Sequence, residues 1–551
     1  MTMPTRLVPK TISVLREGYS ASRLKSDAIA GLTVAIVALP LSMAIAIASG
    51  VSPDRGLYAA IIGGFFVSLL GGSRHQIGGP AGAFIVLVAA SVERNGIDGL
   101  LIAVILSGLI MIAAGYLKLG AYIRFIPYPV TVGFTAGIAI IIFASQLSAI
   151  FGLDLPGKEP GPFPEKVAYL AQYVGTTNIS AVAIAVLTIA IIVAVKRFRP
   201  GWPGMLIAVA VATLAAFALN LPVETIGSQF GGLPRGLQAP ALPALSLQKV
   251  IAVLPDAFAF ALLGSIESLL SAVVADGMTG RRHRSNMELV GQGVANIASG
   301  LFGGICVTGT IARTATNVRA GATSPFSGML HSLFLLLFMI VAAPLARFIP
   351  LATLAGVLAV VAWTMVEKAA IRTLLRTSRG DAVILLVTLL LVVFRDLTEG
   401  IVAGFALGAV MFIDRMGRNV AVSPYSDYNA KAESPIANTD PDTVVYRIFG
   451  AFFFGAAATV GSVLDRVAGG ARNFVLDLSD VPYVDSSAAN VLEGTIGKAE
   501  HRRVRVLLAG ATPSVRSILA SHGISEPRVA YCATLDEAAA RIEADKNETT
   551  E

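Results

Sequence analysis

Apolar runs recur along most of this 551-residue chain and constrain its fold more than any other feature. A helix of about 20 apolar residues is long enough to cross the hydrocarbon core of a bilayer. Charged residues make up only 14% of the chain, against about a quarter of ordinary soluble domains. The sequence therefore predicts a polytopic α-helical membrane protein.

We predict fourteen spans, in two sets of seven on either side of a Pro/Gly-rich stretch at 220–245. The first set lies near 28–49, 56–71, 81–92, 97–116, 125–150, 178–195 and 203–219. The second set lies near 252–275, 287–304, 309–319, 326–346, 350–366, 381–394 and 399–413. We expect the first span to be retained, because about 22 apolar residues exceed the usual core of a signal peptide; the alternative is a cleaved signal peptide.

Loop charges predict the orientation of these spans. Lys and Arg are enriched in cytoplasmic loops, and nearly all basic clusters of this chain fall inside when the N-terminus is placed inside. These clusters lie at 74, 118–124, 196–199, 281–284, 368–379 and 415–418. An even number of spans leaves both termini in the cytoplasm, so we expect a multi-pass protein of the bacterial inner membrane.

The third span of each set is short and follows a stretch rich in small residues. These stretches are 78–83 (GGPAGA) and 307–310 (VTGT). Paired interrupted segments at matching positions indicate a binding site at the interface of inverted repeats, and an odd number of spans per repeat inverts the second one. The alternative is that both segments are ordinary kinked helices.

Two half-helices that begin inside the bilayer favour an anion. Their free N–H groups and positive dipole ends attract negative charge. Small residues allow close approach, Thr310 adds a donor, Phe84 provides a wall and Arg313 a fixed positive charge; the alternative for Arg313 is an arginine that snorkels from a helix end. The candidate substrate-binding residues are Ala81, Gly82, Ala83, Phe84, Gly309, Thr310, Ile311, Ala312 and Arg313.

Glu267 is the carboxylate that lies furthest from a predicted span end. A charge near the bilayer centre is costly, about 2.5–3.5 kcal/mol on insertion scales, and such residues mark ion pathways. Ser271 lies one helical turn later on the same face. We expect this pair to bind a coupling H⁺ or Na⁺; the alternative is a structural acid that is hydrogen-bonded or paired with Arg313.

Beyond residue 418 the pattern changes to strands alternating with helices, which predicts a small α/β domain. Strands are expected at 444–454, 471–478 and 504–509, and helices at 458–467, 486–501, 513–522 and 535–545. Asp485 is a natural N-cap, and Ser486 and Ser487 follow it at the helix start. Ser487 is a candidate phosphorylation position, or it serves only to begin the helix.

These observations give a domain plan: a cytoplasmic segment at 1–26, a transporter domain at 27–418, a linker at 419–441 and a soluble domain at 442–546. The two repeats of the transporter domain cover 27–220 and 250–418. The net charge of +7 is spread over short basic clusters, so nucleic acid is not an expected partner. Neither a nucleophile–base pair nor a metal-ligand cluster is evident, so we expect no enzyme activity, no metal apart from Na⁺, and no cofactor.

Several stretches of this chain resemble the SulP family of anion transporters, which includes sulfate permeases, bicarbonate carriers and the animal prestin and pendrin proteins. The C-terminal region resembles the STAS domain through 485–488 (DSSA), where the serine phosphorylated in antagonist relatives matches Ser487. The SulP-like stretches are 27–34 (DAIAGLTV) with Leu39-Pro40, 48–53 (ASGVSP), 56–58 (GLY), 71–74 (GGSR), 78–80 (GGP) and 308–315 (TGTIARTA).

The resemblance implies a seven-plus-seven inverted repeat divided into core and gate domains, an elevator-like movement of the core, and an anion bound between the third and tenth spans. It also implies a homodimer in which the STAS domain assists assembly or binds a cytoplasmic regulatory protein. In one bicarbonate-carrying branch a sodium-binding Asp and a hydroxyl match Glu267 and Ser271. Leu41 stands where eukaryotic relatives often have Gln, and the first span lacks the carboxylate of some proton-coupled relatives.

Three functions follow from this pattern. The first is secondary active symport of a small anion of the sulfate, bicarbonate or dicarboxylate class with H⁺ or Na⁺. The second is an uncoupled anion exchanger or a channel-like conductance. The third, from another class, is a membrane sensor that signals through the soluble domain.

Overall fold

The computed structural model describes residues 7–122, 126–157, 159–200, 202–418, 420–424, 442–454, 456–457 and 472–550. The chain divides into two compact units, Met1–Phe405 and Ala406–Glu551.

The first unit is mainly helical. Its first half, up to residue 230, contains eleven α-helices among the described residues. They are α1 Lys10–Arg16, α2 Ala21–Ala48, α3 Pro53–Tyr58, α4 Gly64–Leu70, α5 Ile85–Tyr116, α6 Tyr128–Ser145, α7 Leu147–Phe151, α8 Phe163–Gln172, α9 Ile179–Phe198, α10 Gly204–Ala218 and α11 Ile226–Phe230. Short 3₁₀ or π turns join them at Ala59–Gly63, Gly82–Phe84, Leu119–Ala121 and Val174–Thr176.

The second half repeats the helical pattern. Its helices are α12 Leu247–Thr279, α13 Ser285–Leu301, α14 Ile311–Arg319, α15 Phe326–Ala346, α16 Leu351–Met365, α17 Lys368–Thr377, α18 Arg379–Phe394 and α19 Leu397–Arg418, of which α19 continues past Phe405 into the second unit. One short strand stands in each half, β1 Gly78–Gly79 and β2 Thr308–Gly309.

Among the described residues, each of the fourteen sequence-predicted ranges is mainly helical. Gly96, with a φ of 67°, breaks α5 into the two segments expected at 81–92 and 97–116, because a positive φ interrupts helical geometry. Among the described residues, eight helices are long and apolar enough to cross a membrane. The number of crossings stays a prediction.

The helices of the first unit pack as two bundles, and each bundle combines helices from both halves. In the first bundle α2 packs on α14 and α15, and α5 packs on α12 and α13. In the second bundle α6 packs on α16 and α18, and α9 packs on α10 and α16. This interleaving is the arrangement expected of inverted repeats that form a core and a gate.

The second unit contains a five-stranded sheet in the order β3-β4-β5-β6-β7. The β3–β4 pair is antiparallel and the other pairs are parallel. Apolar side chains of the parallel strands form the core of this unit beneath the helices. The elements are β3 Ala421–Pro424, β4 Thr443–Phe449, β5 Asn473–Asp480, α20 Ser486–His501, β6 Arg505–Ala509, α21 Pro513–Ser521, β7 Ala530–Cys532 and α22 Leu535–Thr550.

Two details of this unit differ from the sequence prediction, and a third prediction is not tested. The strand expected at 444–454 ends at Phe449, because the chain turns at Gly450, whose φ is 88°. Residues 421–424 pair with β4, so this part of the expected linker belongs to the sheet. The helix expected at 458–467 lies outside the described residues.

Candidate functional site

The two interrupted segments meet. β1 and β2 pair antiparallel, with Gly78 opposite Gly309 and Gly79 opposite Thr308. Beside this pair the Thr310 amide donates to the Ile77 carbonyl oxygen at 3.0 Å. The segments are therefore neither continuous helices nor far apart, and the reading of both as ordinary kinked helices is wrong.

A helix begins directly after each strand. The turn at Gly82–Phe84 leads into α5, and Ile311 opens α14. The preceding residues, Ala81 and Thr310, have extended backbones, and neither accepts a hydrogen bond from the helix through its side chain. The first N–H groups of both helices thus lack side-chain caps and can donate to a ligand.

The predicted substrate-binding residues differ in their exposure. Ala81, Ala83, Phe84 and Gly309 are buried, Gly82 and Thr310 are partly exposed, and Ile311 and Ala312 are exposed. The Phe84 ring packs edge-on against Phe260, with 6.1 Å between centroids. A Cβ atom on Gly82 would lie 3.0 Å from Ile142 Cδ1. The turn at Gly82 therefore packs against α6 of the second bundle.

Arg313 is buried beneath the strand pair, with 3% of its surface exposed. Its Nη2 donates to Ser42 Oγ at 3.1 Å and to the Pro80 carbonyl oxygen at 3.3 Å. Its Nε and Nη1 are buried without a hydrogen-bond partner among the described residues. This burial does not fit an arginine that snorkels to the surface, and it leaves a cation that needs an anionic partner.

Because Gly79 has no side chain, the Arg313 guanidinium can pack directly against its backbone. A Cβ atom on Gly79 would stand 2.1 Å from Arg313 Nη1, so any side chain here would displace the arginine. Gly309 plays the same part for Gln76, whose Nε2 would lie 1.4 Å from an added Cβ. Both glycines thus allow a side chain to pack closely against the strand pair, and an added Cβ would make the Arg313 or Gln76 side chain shift.

Glu267 and Ser271, the candidate coupling residues, lie on α12 but have different surroundings. Glu267 is partly exposed, and its Oε2 is buried without a hydrogen-bond partner. Ser271 is fully buried, and its Oγ lies 3.0 Å from Thr314 Oγ1. Within the described part of the chain no ion pair joins Glu267 to Arg313. The alternative that Glu267 is a structural acid paired with Arg313 is therefore wrong.

A second polar cluster, which the sequence analysis missed, supports the strands. Glu288 is fully buried on α13, and its Oε2 accepts from the amides of Gly72 and Ser73 at 2.7 and 2.9 Å. Asn296, two turns later, accepts from the Val307 amide at 2.9 Å. The signal was the spacing of Glu288, Gln292 and Asn296 at every fourth residue, which places all three on one helical face.

Gln76 and Thr314 complete this support from the other side. Gln76 Nε2 donates to Ser268 Oγ at 2.7 Å, and Ser268 Oγ lies 3.2 Å from Gln292 Oε1. Thr314 Oγ1 accepts from the Ile77 amide at 3.1 Å. Side chains of α12, α13 and α14 thus hydrogen-bond to the segments that lead into β1 and β2.

In the second unit the start of α20 is fixed by Asp485. Its Oδ1 accepts from the Ala488 amide at 2.8 Å, and its Oδ2 accepts from the Phe454 amide at 3.0 Å. Ser486 and Ser487 are exposed in the first turn. Ser487 is therefore accessible at a helix N-terminus, where negative charge is favourable.

Comparison with known proteins gives the family. The model of the sulfate permease family matches residues 24–388, and that of the STAS domain matches residues 434–538. The chain is 40% identical to a putative sulfate transporter, YvdB, of Bacillus subtilis, over 92% of this chain and 95% of that one. It is 33% identical to the bicarbonate transporter BicA of Synechocystis, over 89% of this chain and 88% of that one.

Solved structures agree with this assignment. The structure of the transmembrane domain of a cyanobacterial BicA matches this chain with 33% identity and a TM-score of 0.62. The match covers 69% of this chain and 98% of the BicA chain. Murine Slc26a9 in an inward-facing state has the same fold over 98% of this chain and 94% of its own, at 19% identity and a TM-score of 0.86. The paired half-helices, the interleaved repeats and these matches together show that the chain belongs to the sulfate permease (SulP) family of anion transporters and carries a STAS domain.

Proposed function

We propose that this chain is a secondary active transporter that moves a small oxyanion together with H⁺ or Na⁺. The relatives named above for sulfate and for bicarbonate make these two anions the first substrates to test, followed by a dicarboxylate such as fumarate. The anion binds where α5 and α14 begin, and the bundle that contains them carries it across by an elevator-like movement against the second bundle.

The observation that carries this proposal is the guanidinium of Arg313. Removing a charge from water is costly unless a counter-charge and hydrogen bonds replace the solvent. Arg313 has only neutral partners among the described residues, Ser42 and Pro80, and two of its nitrogens have none. An oxyanion beside the open ends of α5 and α14 supplies both the charge and the acceptors.

Coupling is assigned to Glu267 on α12. A carboxylate with one oxygen buried and no partner is favoured when it carries a proton or holds a cation. Ser271 Oγ, beside Thr314, connects this helix to α14. We propose that occupancy of Glu267 by H⁺ or Na⁺ is sensed at the anion site through this contact.

Reconstituted vesicles test both assignments. The full chain is placed in liposomes, and uptake of radiolabelled sulfate, bicarbonate and fumarate is followed under imposed pH or Na⁺ gradients. The wild type should accumulate one of these anions only when one of the gradients is present. Glu267→Gln should abolish accumulation but retain exchange of internal for external anion, because the anion site itself is unchanged.

Glu165→Gln is the matched control, since it makes the same chemical change at an exposed acid on α8. It should accumulate anion as the wild type does. Flux that ignores both gradients would identify an uncoupled exchanger or conductance. Absence of flux for every anion, together with a tight protein partner of the STAS domain, would favour a sensor.

Location and assembly complete the proposal. The chain is a multi-pass membrane protein, and we propose that it lies in the bacterial inner membrane with its N-terminus and STAS domain in the cytoplasm. We further propose that it forms a homodimer and that Ser487 is a regulatory position.

A further inference from the structure

A cleft of about 530 Å³ lies away from the anion site, between the two bundles. One wall is α10, which packs on α9 and α16 of the second bundle. The other walls are α2 and α15 of the first bundle, with Met43 and Met339 among their lining side chains. Every lining side chain is apolar except that of Thr213, so water and ions have little to bind here.

The mouth of the cleft is also apolar. Leu214, Phe217 and Leu345 line the cleft, and each has more than 60% of its surface exposed. On a surface facing water such a patch would be unfavourable, whereas on these helices it faces the hydrocarbon of the bilayer. The natural occupant is therefore a membrane lipid.

One end of the cleft carries a positive charge. Leu345, Ala346, Phe348 and Ile349 line it, so Arg347 stands within the lining segment. The Arg347 side chain is exposed, its guanidinium lies 4.9 Å from the Phe348 ring, and it makes no ion pair with the described residues. An exposed guanidinium at the end of an apolar cleft complements a lipid phosphate.

Thr213 adds an independent sign of a ligand. Its Oγ1 is buried and has no hydrogen-bond partner among the described residues. It lies one helical turn, about 6 Å, before Phe217, whose ring packs against Phe348 beside Arg347. A glycerol ester lies just below its phosphate, so Thr213 is placed to donate to the ester carbonyl of a lipid held by Arg347.

We propose that this cleft binds one acyl chain of an anionic phospholipid, with the phosphate on Arg347 and an ester carbonyl on Thr213. The lipid then fills the gap between two bundles that must move relative to each other during transport. The binding itself does not depend on the transported anion or on the coupling ion.

Photolabelling in the absence of substrate tests the site. The full chain is reconstituted with phosphatidylglycerol or phosphatidylethanolamine that carries a diazirine on one acyl chain, irradiated, digested and analysed by mass spectrometry. Label should concentrate on partly exposed lining residues such as Phe338 rather than on Val341, which is 68% exposed but outside the cleft. Phosphatidylglycerol should label the cleft several-fold more than phosphatidylethanolamine.

Two pairs of variants decide the outcome. Ala210→Phe fills the cleft from an exposed position of α10 and should reduce its labelling at least fivefold, whereas Val211→Phe, on the next residue outside the cleft, should not. Arg347→Gln should remove the preference for phosphatidylglycerol, and Arg235→Gln, an exposed arginine outside the cleft, should keep it.

Equal labelling of Phe338 and Val341, or undiminished labelling of the cleft in Ala210→Phe, would overturn the proposal. Arg347→Gln changes an exposed side chain, so the lipid preference can be read even if Ala210→Phe fails to fold. Because no anion flux is measured, these results are independent of whether the proposed transport is correct.

Discussion

Gly78 and Gly309 stand opposite each other in a two-residue strand pair; a helical turn begins four residues after Gly78, and a helix begins two residues after Gly309. This one contact joins the two halves of the chain at the point where both backbones leave helical geometry. Arg313, only four residues beyond Gly309, is buried under the same pair. The strand pair therefore brings together the uncapped starts of the helices that follow β1 and β2, α5 and α14, and the buried guanidinium of Arg313.

Arg313 should be essential for anion binding. Arg313→Gln removes the buried charge, and we expect uptake of the transported anion to fall at least tenfold, with a weaker apparent affinity. Arg313→Lys should restore only part of the activity, since an ammonium cannot reproduce the planar fork of a guanidinium. Arg319→Gln is the control, because Arg319 is exposed at the other end of α14. Wild-type uptake by Arg313→Gln would contradict the proposed site.

Gly79 should matter through Arg313 rather than through the backbone. In Gly79→Ala the new Cβ would meet Arg313 Nη1 at 2.1 Å, so the guanidinium must move. We expect a several-fold loss of anion affinity, measured by substrate-dependent thermal shift, with correct insertion retained. Gly175→Ala, where no atom lies within 4 Å of the added Cβ, should behave as wild type. Equal affinities of the two variants would show that Arg313 is not confined by Gly79.

Glu288 should be a structural residue. Glu288→Ala leaves the buried amides of Gly72 and Ser73 without an acceptor, which costs about 1–3 kcal/mol for each unsatisfied group. We therefore expect a clearly lower midpoint in the thermal unfolding of the purified protein. Glu165→Ala, at an exposed acid, should leave the midpoint unchanged. If Glu288→Ala unfolds at the wild-type temperature, the hydrogen bonds that Glu288 accepts from Gly72 and Ser73 do not stabilise the protein.

Docking of α1 should depend on pH through Lys10, whose Nζ donates to the Arg282 carbonyl oxygen at 2.8 Å. Burial, followed by the charges of Arg284 and Arg74, lowers the pKa of Lys10 to about 8. Between about pH 8 and the ordinary value of 10.5, the docked amine is neutral while the undocked one is still charged. Docking should therefore strengthen as the pH rises through this window.

Hydrogen exchange of the α1 amides, corrected for intrinsic rates, measures this effect. Protection should increase with pH in the wild type and in Lys25→Met, which changes an exposed lysine. It should not change with pH in Lys10→Met. A pH dependence that survives in Lys10→Met would assign the effect to another group.

Asp485 should hold the start of α20. Asp485→Ala removes acceptors for the amides of Ala488 and Phe454, and loss of an N-cap costs about 1 kcal/mol. We expect faster hydrogen exchange in the first turn of α20 within the full chain. Ser487→Glu should slow exchange there, because a negative charge at a helix N-terminus is favourable. Ser521→Glu, at the end of α21, should not have this effect.

The sequence predicted the helical segments well because each depends on local composition. An apolar run of about 20 residues specifies a buried or membrane helix whatever surrounds it. The start of α20 after Asp485 and of α21 at Pro513 likewise followed from residues within a single turn. The sequence places residues 421–424 in the linker, because their pairing with β4 depends on residues 22 to 28 positions away.

By itself, the sequence determined that the chain enters a membrane, that two matching segments are interrupted, and that a carboxylate and an arginine lie among apolar residues. Tertiary structure alone decided which groups meet. It paired Gly78 with Gly309, surrounded Arg313 with neutral partners, and turned Ser271 towards Thr314. The physical reason is that helix formation depends on neighbours in sequence, whereas an unpaired buried charge depends on every element that excludes water from it.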